Sequence, residues 1–188
     1  DGQIFLGQFG NGAVSLTLSS LPGHAQATVS FDLFIIRSWD GSSGAWGPDI
    51  WQLSVTDGPT LLRTTFSNAD ESEPLRRQAY PDVYPGTDHP GQTGAAQINT
   101  LGYPIWGDSV YSLSFTFSHD ARSLRLNMSA EGLEALDDEG WGIDNVRVEV
   151  APAPALIASA VEAPVPPTAT SVPPTVVPPT ATSVPPTV

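Results

Sequence analysis

The sequence predicts an all-β domain in which two antiparallel sheets pack face to face as a jelly-roll β-sandwich, followed by an extended polyproline II-like tail. Apolar and polar residues alternate in most segments of residues 1–150, which is the period of a half-buried strand. Gly, Pro, Asn and Asp separate these segments at short intervals, as turns require. Beyond residue 150 aromatic residues stop and prolines concentrate, so the core must lie in residues 1–150.

Eight strands follow from this alternation. In the longest, Val29 and Leu33 share the face that should point to the core, while Phe34 and Ile36 indicate that the other face is partly covered. The region 130–138 could form a helical turn but is predicted to be a loop. The predicted strands are 3–9, 14–18, 27–37, 50–56, 61–66, 110–117, 123–128 and 142–150.

The segment Ser67–Gly107 interrupts this pattern for about 40 residues, far longer than an ordinary connection. Its tyrosines and Trp106 predict an ordered loop that packs on the sandwich. Two interpretations stay open: the loop is a lid that seals one sheet face, or it forms a ligand site.

Charge excludes several classes of partner. The net charge is −13, with seven arginines and no lysine, so the surface repels nucleic acid and anionic lipid. Lysine-dependent isopeptide bonds and disulfides are both excluded, because lysine and cysteine are absent. No apolar run approaches the roughly 20 residues that a membrane-spanning helix needs.

The tail contains one sequence twice, since residues 165–176 and 177–188 both read VPPTATSVPPTV. Proline-rich repeats favour a solvated polyproline II rod, and Thr beside Pro is typical of O-glycosylated stalks. Residues 151–164 form a linker in this interpretation. We therefore expect a secreted or cell-surface protein. The candidate glycosylation sites are Thr168, Thr170, Thr175, Thr180, Thr182 and Thr187.

Three aspartates are candidate ligands of a structural calcium ion. Asp40, Asp49 and Asp144 each lie at a predicted strand edge close to Gly or Trp. Calcium prefers carboxylate and carbonyl oxygens, which such turns supply. Alternatively, Asp144 pairs with Arg147 or caps a turn.

The closing segment Trp141–Val148 reads WGIDNVRV and resembles the last strand of jelly-roll carbohydrate-binding and related extracellular adhesion domains. The resemblance covers about eight residues and identifies no sugar. It implies that Asp144 holds a structural calcium.

Aromatic residues form a second candidate site, for sugar rings or for a tail. Trp51 and Trp141 are predicted in the core. Trp39, Trp46 and Trp106 lie in Gly-rich loops and are the better candidates for exposure, although tryptophan in a sandwich is usually buried. The candidate ligand- or tail-binding aromatics are Trp39, Trp46, Tyr80, Tyr84, Tyr103 and Trp106.

Catalytic motifs are missing. The sequence contains no Gly-x-Ser-x-Gly elbow, no zinc-like histidine spacing and no Glu-x-Asp-x-x-Glu string of jelly-roll glycosidases. The run Asp137-Asp138-Glu139 is expected to be solvated or to face a metal.

These observations favour a non-catalytic extracellular structural or assembly protein, a cell-surface or filament subunit whose tail contacts a neighbouring subunit. An aromatic-lined groove could hold such a tail, and a sheet edge could hold residues 155–161. The alternative function is a calcium-stabilised carbohydrate-binding module on an O-glycosylated stalk.

Overall fold

A computed structural model describes residues 4–152 of the chain. Residues 1–3 and 153–188, which include most of the predicted linker, the repeat tail and all six candidate glycosylation sites, lie outside the described residues. Nine strands form within the described part: β1 (Leu6–Phe9), β2 (Gly12–Leu18), β3 (Gln26–Arg37), β4 (Ile50–Val55), β5 (Thr60–Thr65), β6 (Gln97–Ile98), β7 (Asp108–Ser118), β8 (Leu124–Glu131) and β9 (Glu139–Ala151).

The strands form two antiparallel sheets with the orders β1-β9-β3-β7-β6 and β2-β8-β4-β5. One long hairpin contains four successive antiparallel strand pairs, and these pairs lie alternately in the two sheets. The pairs are β1/β9, β2/β8, β3/β7 and β4/β5. This arrangement is a jelly roll. The predicted β-sandwich is therefore confirmed, and residues 130–138 form no helix.

Strand β3 explains how the core is divided. Phe31 and its neighbours on one face pack between the sheets, where the rings of Trp51 and Trp141 lie 6.0 Å apart. Phe34 and Ile36 on the opposite face form a smaller cluster that Phe5, Leu101 and Tyr103 cover. Both faces of β3 are thus buried in its second half, and the core positions predicted for Trp51 and Trp141 are confirmed.

The eight predicted strands correspond to the observed ones, with ends that differ by a few residues. Strand β6 was not predicted, because Gln97–Ile98 is too short to show a period.

The long loop Ser67–Gly107 packs on the sandwich through Gln78, whose side chain is fully buried. Its Oε1 accepts hydrogen bonds from the backbone N–H groups of Ser67 and Gln92 and from the hydroxyl of Tyr111, at 3.0 to 3.1 Å. Its Nε2 donates to the carbonyls of Tyr80 and Thr93. One amide therefore joins distant parts of the loop to strand β7.

Tyr80 completes this attachment. Its ring lies 5.0 Å from the ring of Phe66 and 5.1 Å from that of Tyr111, so it closes the end of the main core. The prediction of an ordered loop that packs on the sandwich is confirmed.

Replacing Gln78 tests this attachment. Gln78→Met keeps the size of the side chain but leaves buried donors and carbonyls unpaired, at about 1–3 kcal/mol for each such group. We expect a loss of at least about 3 kcal/mol in the free energy of unfolding, measured by urea denaturation.

Gln92→Met is the matched control, because Gln92 is only half-buried and its side chain makes one weak hydrogen bond, at 3.3 Å. Equal losses for the two variants would contradict the central role of Gln78.

Candidate functional site

Three loops meet at one end of the sandwich, as the strand register shows. Arg37, the last residue of β3, lies opposite Glu139, the first residue of β9. Ile50 at the start of β4 lies opposite Glu131 at the end of β8. The loops that follow β3 and β8 therefore come together with part of the long loop, and we call this region the loop end.

Gly41 allows two of these loops to touch. Its φ is +69°, and a Cβ at this position would lie 2.1 Å from the carbonyl oxygen of Arg77. The next residue, Ser42, donates its N–H to that carbonyl at 2.6 Å. The close approach holds the loop after β3 against the segment that carries Arg76.

Three carboxylates are buried under the loop end, since Asp40, Asp49 and Glu139 are at most 3% exposed. Asp49 accepts the backbone N–H of Asp40 through Oδ2, and Glu139 accepts that of Glu134 through Oε2. The side chains of Asp49 and Glu139 also contact each other. We call Asp40, Asp49, Glu134 and Glu139 the acidic cluster.

One oxygen of each buried carboxylate lacks a hydrogen-bond donor: Asp40 Oδ1, Asp49 Oδ1 and Glu139 Oε1. Arg76 Nε lies 2.9 Å from Asp40 Oδ1, but the geometry is not that of an aligned hydrogen bond. Buried oxygens without a donor are costly, so a proton or a cation is needed among them.

Burial is the main cause of the raised pKa values of these carboxyl groups. It raises the pKa of Asp49 to about 8, and the nearby charge of Glu139 adds to the effect. It also raises the pKa of Glu139 to about 7, against the opposing hydrogen bond from the backbone of Glu134. The pKa of Asp40 is raised by burial as well, although Arg76 counteracts the rise.

The geometry of the cluster suits a hard divalent cation. Asp40, Glu134 and Glu139 each offer one carboxylate oxygen, and these oxygens lie within 4.8 Å of one another. Ligands on opposite sides of a calcium ion are separated by about 5 Å, since each Ca–O distance is about 2.3–2.6 Å. An all-oxygen set of this charge favours calcium or magnesium over softer metals.

Arg76 connects the acidic cluster to the surface. Beyond its ion pair with Asp40, its guanidinium carbon lies 4.9 Å from the ring centroid of Trp46 and 5.3 Å from that of Trp106. The two tryptophans are 46% and 54% exposed. We call Trp46, Arg76 and Trp106 the tryptophan–arginine patch.

Two depressions flank Trp106 and share Tyr103, Pro104 and Trp106 as lining. One has a volume of about 330 Å³ and is lined also by Asn68, Asp70, Gln92, Asn99 and Gly107. The other has a volume of about 400 Å³ and is lined also by Arg37, Ile105, Asp137 and Asp138.

Of the three candidate aspartates, Asp40 and Asp49 lie together at the loop end, but Asp144 lies elsewhere. Asp144 lies five residues along β9 from Glu139, which is about 16 Å in an extended strand. Its Oδ1 accepts the N–H of Asn145, and Arg147 pairs with Glu149 rather than with Asp144. The interpretation of one site with three aspartates is therefore corrected.

The candidate aromatic residues also lie in different environments, some buried in the core and others exposed at the surface. Trp39 is fully buried, with its Nε1 donating to the carbonyl of Gly140, so the expectation that it is exposed was wrong. Tyr80 belongs to the core end, and Tyr84 lies over Arg63 of β5. Trp46 and Trp106 are exposed as predicted, and Tyr103 lies between the two depressions.

Sequence reasoning left out Glu134, Glu139 and Arg76 as site residues. Glu139 had a signal, because the run Asp137–Glu139 was expected to face solvent or a metal. Glu134 and Arg76 had none, since they lie in loops without a recognisable motif.

No protein-family profile, curated protein sequence or solved structure matches the chain. Within residues 4–152, no helix has the length and apolarity that a membrane crossing requires.

The buried carboxylates predict an unusual pH dependence of stability. When metal is chelated, Asp49 and Glu139 bind protons more tightly in the folded protein than in the unfolded chain. In the unfolded chain the pKa values of these two groups are near 3.8 and 4.5. The stability that these two groups contribute is present at low pH and lost as pH rises towards 8. We expect the melting temperature to fall between about pH 4 and pH 8, measured by calorimetry in chelator.

Asp49→Asn should flatten this fall and raise the melting temperature at pH 8, because it removes the buried charge but keeps the shape of the side chain. Asp144→Asn, outside the acidic cluster, should leave the slope unchanged. A melting temperature that rises through this range in both the wild type and Asp49→Asn would contradict the assignment.

Proposed function

We propose that the domain is a non-catalytic binding module for carbohydrate, with the ligand held against Trp106 at the loop end and a calcium ion in the acidic cluster. The observation that carries the proposal is the exposed tryptophan–arginine patch between two depressions. Ligand sites of this kind combine an apolar platform with a few convergent polar groups.

The conformation of Trp106 supports a role in binding. Its φ is +65°, a left-handed conformation that bulky residues rarely adopt, while its side chain is 54% exposed. Strain of this kind persists where the surroundings enforce it, and it clusters at ligand-binding sites. The core gains little from a half-exposed indole, so the strain is better explained by presentation of the ring.

The polar lining supports a sugar as ligand. The smaller depression carries the exposed Asp70 and Asn99 and the half-buried Gln92, whose side chains offer both acceptors and donors to hydroxyl groups. Asn68 contributes less, because its amide already bonds Ile35, Arg37 and Ser109. An aromatic ring beside such groups fits a pyranose, which has apolar faces and a polar rim.

Burial argues against catalysis by the carboxylates with raised pKa values. A general acid of the glycosidase type needs a raised pKa and access to substrate. Asp49 and Glu139 meet the first condition, but both are fully buried, so no substrate reaches them. Their arrangement supports a structural cation instead.

The cation would stabilise the patch indirectly. Asp40 holds Arg76, and Arg76 lies against Trp46 and Trp106. A calcium ion bound by Asp40, Glu134 and Glu139 would fix these loops and leave the ligand contacts to the side chains at the surface. This proposal extends the calcium expectation to a different set of residues, in which Asp144 has no part.

A second candidate function is assembly through the repeat tail. The exposed rings of Trp46 and Trp106 are what a proline-rich segment requires of a docking surface, and the chain contains the proline-rich sequence VPPTATSVPPTV twice. The tail of one subunit would then occupy the patch of its neighbour. The predicted extracellular location is part of both functions.

Trp106→Ala tests the binding proposal. On a glycan array in calcium, the wild type should bind a defined set of glycans, and the variant should lose about tenfold or more in affinity, as truncation of a central aromatic does. Tyr84→Ala is the control, because this aromatic lies away from the patch and should change nothing. Silence of the wild type on the array, with and without calcium, would contradict the proposal.

A synthetic VPPTATSVPPTV peptide separates the two functions. If the patch holds a tail, the peptide should bind a chain truncated after residue 152. Its affinity for the same truncated chain with Trp106→Ala should be lower. Glycan binding without peptide binding would refute assembly through the patch, and peptide binding without glycan binding would refute the carbohydrate proposal.

A further inference from the structure

Thirty residues near the start of the chain, residues 2–31, contain none of the 20 acidic and seven basic residues of the protein. This stretch includes β1, β2 and the first half of β3. In a molecule of net charge −13, an edge strand within this segment has no charge of its own to repel a second copy.

Strand β2 lies at the edge of its sheet and pairs only with β8, over all seven residues and without a bulge. Within residues 4–152, no backbone hydrogen bond is made to its outer side. Natural proteins protect long edge strands with charges, prolines or bulges, because unpaired backbone groups attract another strand. The sequence GAVSLTL of β2 has none of these protections.

The other sheet edges are better protected. Loop residues Tyr80 and Tyr84 donate backbone hydrogen bonds to Thr65 and Arg63 of β5. Strand β1 has only four residues and an irregular register with β9.

Strand β7 is the nearest comparison, because its part 111–118 has no strand partner on the outer side among the described residues. However, this edge is already occupied in part, because β6 pairs with Ser109 and Val110 and Ala96 donates its N–H to the carbonyl of Val110. A second copy would have to fit beside β6 and the loop that carries it.

We infer that two copies of this chain associate by antiparallel pairing of β2 with the β2 of the second copy. An edge strand that pairs with itself about a twofold axis gives a closed dimer, since each copy uses the same surface. With the axis at Ser15, Ala13 lies opposite Thr17 of the second copy, so small uncharged side chains meet on the outer face.

The inner face of β2 contributes apolar contact. Val14, Leu16 and Leu18 are only half-buried, because β2 is the last strand of its sheet. In the dimer, Val14 lies opposite Leu16 of the second copy, and both lose exposure to water. Burial of apolar area supplies the driving force that backbone hydrogen bonds alone do not.

Charge on the neighbouring strand does not oppose the dimer. Arg125 of β8 lies opposite Thr17. The two Arg125 side chains would be separated by three strand spacings across the sheet, about 14 Å, and by a further four residues along it, so their distance exceeds the Debye length at physiological salt. Because seven-residue strands bury less than a standard interface, we expect the dimer to depend on concentration.

Analytical ultracentrifugation of the full chain tests the inference. The molar mass of the wild type should rise with concentration from 19.8 kDa towards twice that value. Ser15→Glu places like charges opposite each other at the axis and should keep the protein monomeric. The monomer should still fold, because Arg125, which donates a hydrogen bond to Ser15, can also pair with the new carboxylate.

Ser114→Glu is the matched control on the open part of β7, where Ser114 is equally exposed, and it should dimerise like the wild type. An equimolar mixture of Ser15→Glu and Ser15→Lys should recover dimers, because opposite charges then face each other.

Three results would overturn the inference: a wild type that stays at 19.8 kDa at every concentration, a Ser15→Glu variant that still dimerises, or a loss of dimers in Ser114→Glu instead. The second result would point to the tail as the contact.

Discussion

The loop end depends on one constraint, the burial of three carboxylates beneath it. Asp49 holds the backbone of Asp40 and Glu139 holds that of Glu134, so two loops are attached to groups that water cannot reach. The remaining oxygens lack donors, and a bound cation would satisfy several of them at once. Arg76 extends this arrangement from the core to the exposed tryptophans.

A second buried group stabilises the long loop without any covalent bond. Gln78 supplies one acceptor atom for three donors and one donor group for two carbonyls, which links the loop to itself and to β7. The chain has no cysteine and no lysine, so disulfide and isopeptide crosslinks are excluded and polar contacts such as these hold the loop. Loops rigidified from beneath can present side chains in a fixed geometry, as a binding surface requires.

The fold was predictable because a period of two and short turns leave few alternatives to a sandwich, and β6 was missed because two residues carry no period. The site was only half predictable. Asp40 and Asp49 follow from their positions close to Gly or Trp at predicted strand edges, but Glu139 joins them through the register of β9 with β3, which no local pattern encodes. Trp39 was misassigned because its Gly-rich context suggested exposure, whereas its indole N–H finds a carbonyl inside the core.

We propose that the acidic cluster binds calcium through Asp40, Glu134 and Glu139, and a crystal structure of the protein grown in calcium tests this proposal. We expect one ion within about 2.3–2.6 Å of an oxygen of each of these carboxylates, with Arg76 still against Trp46 and Trp106. A cluster that stays empty at saturating calcium, with Asp49 and Glu139 joined by a short hydrogen bond through a shared proton, would contradict it.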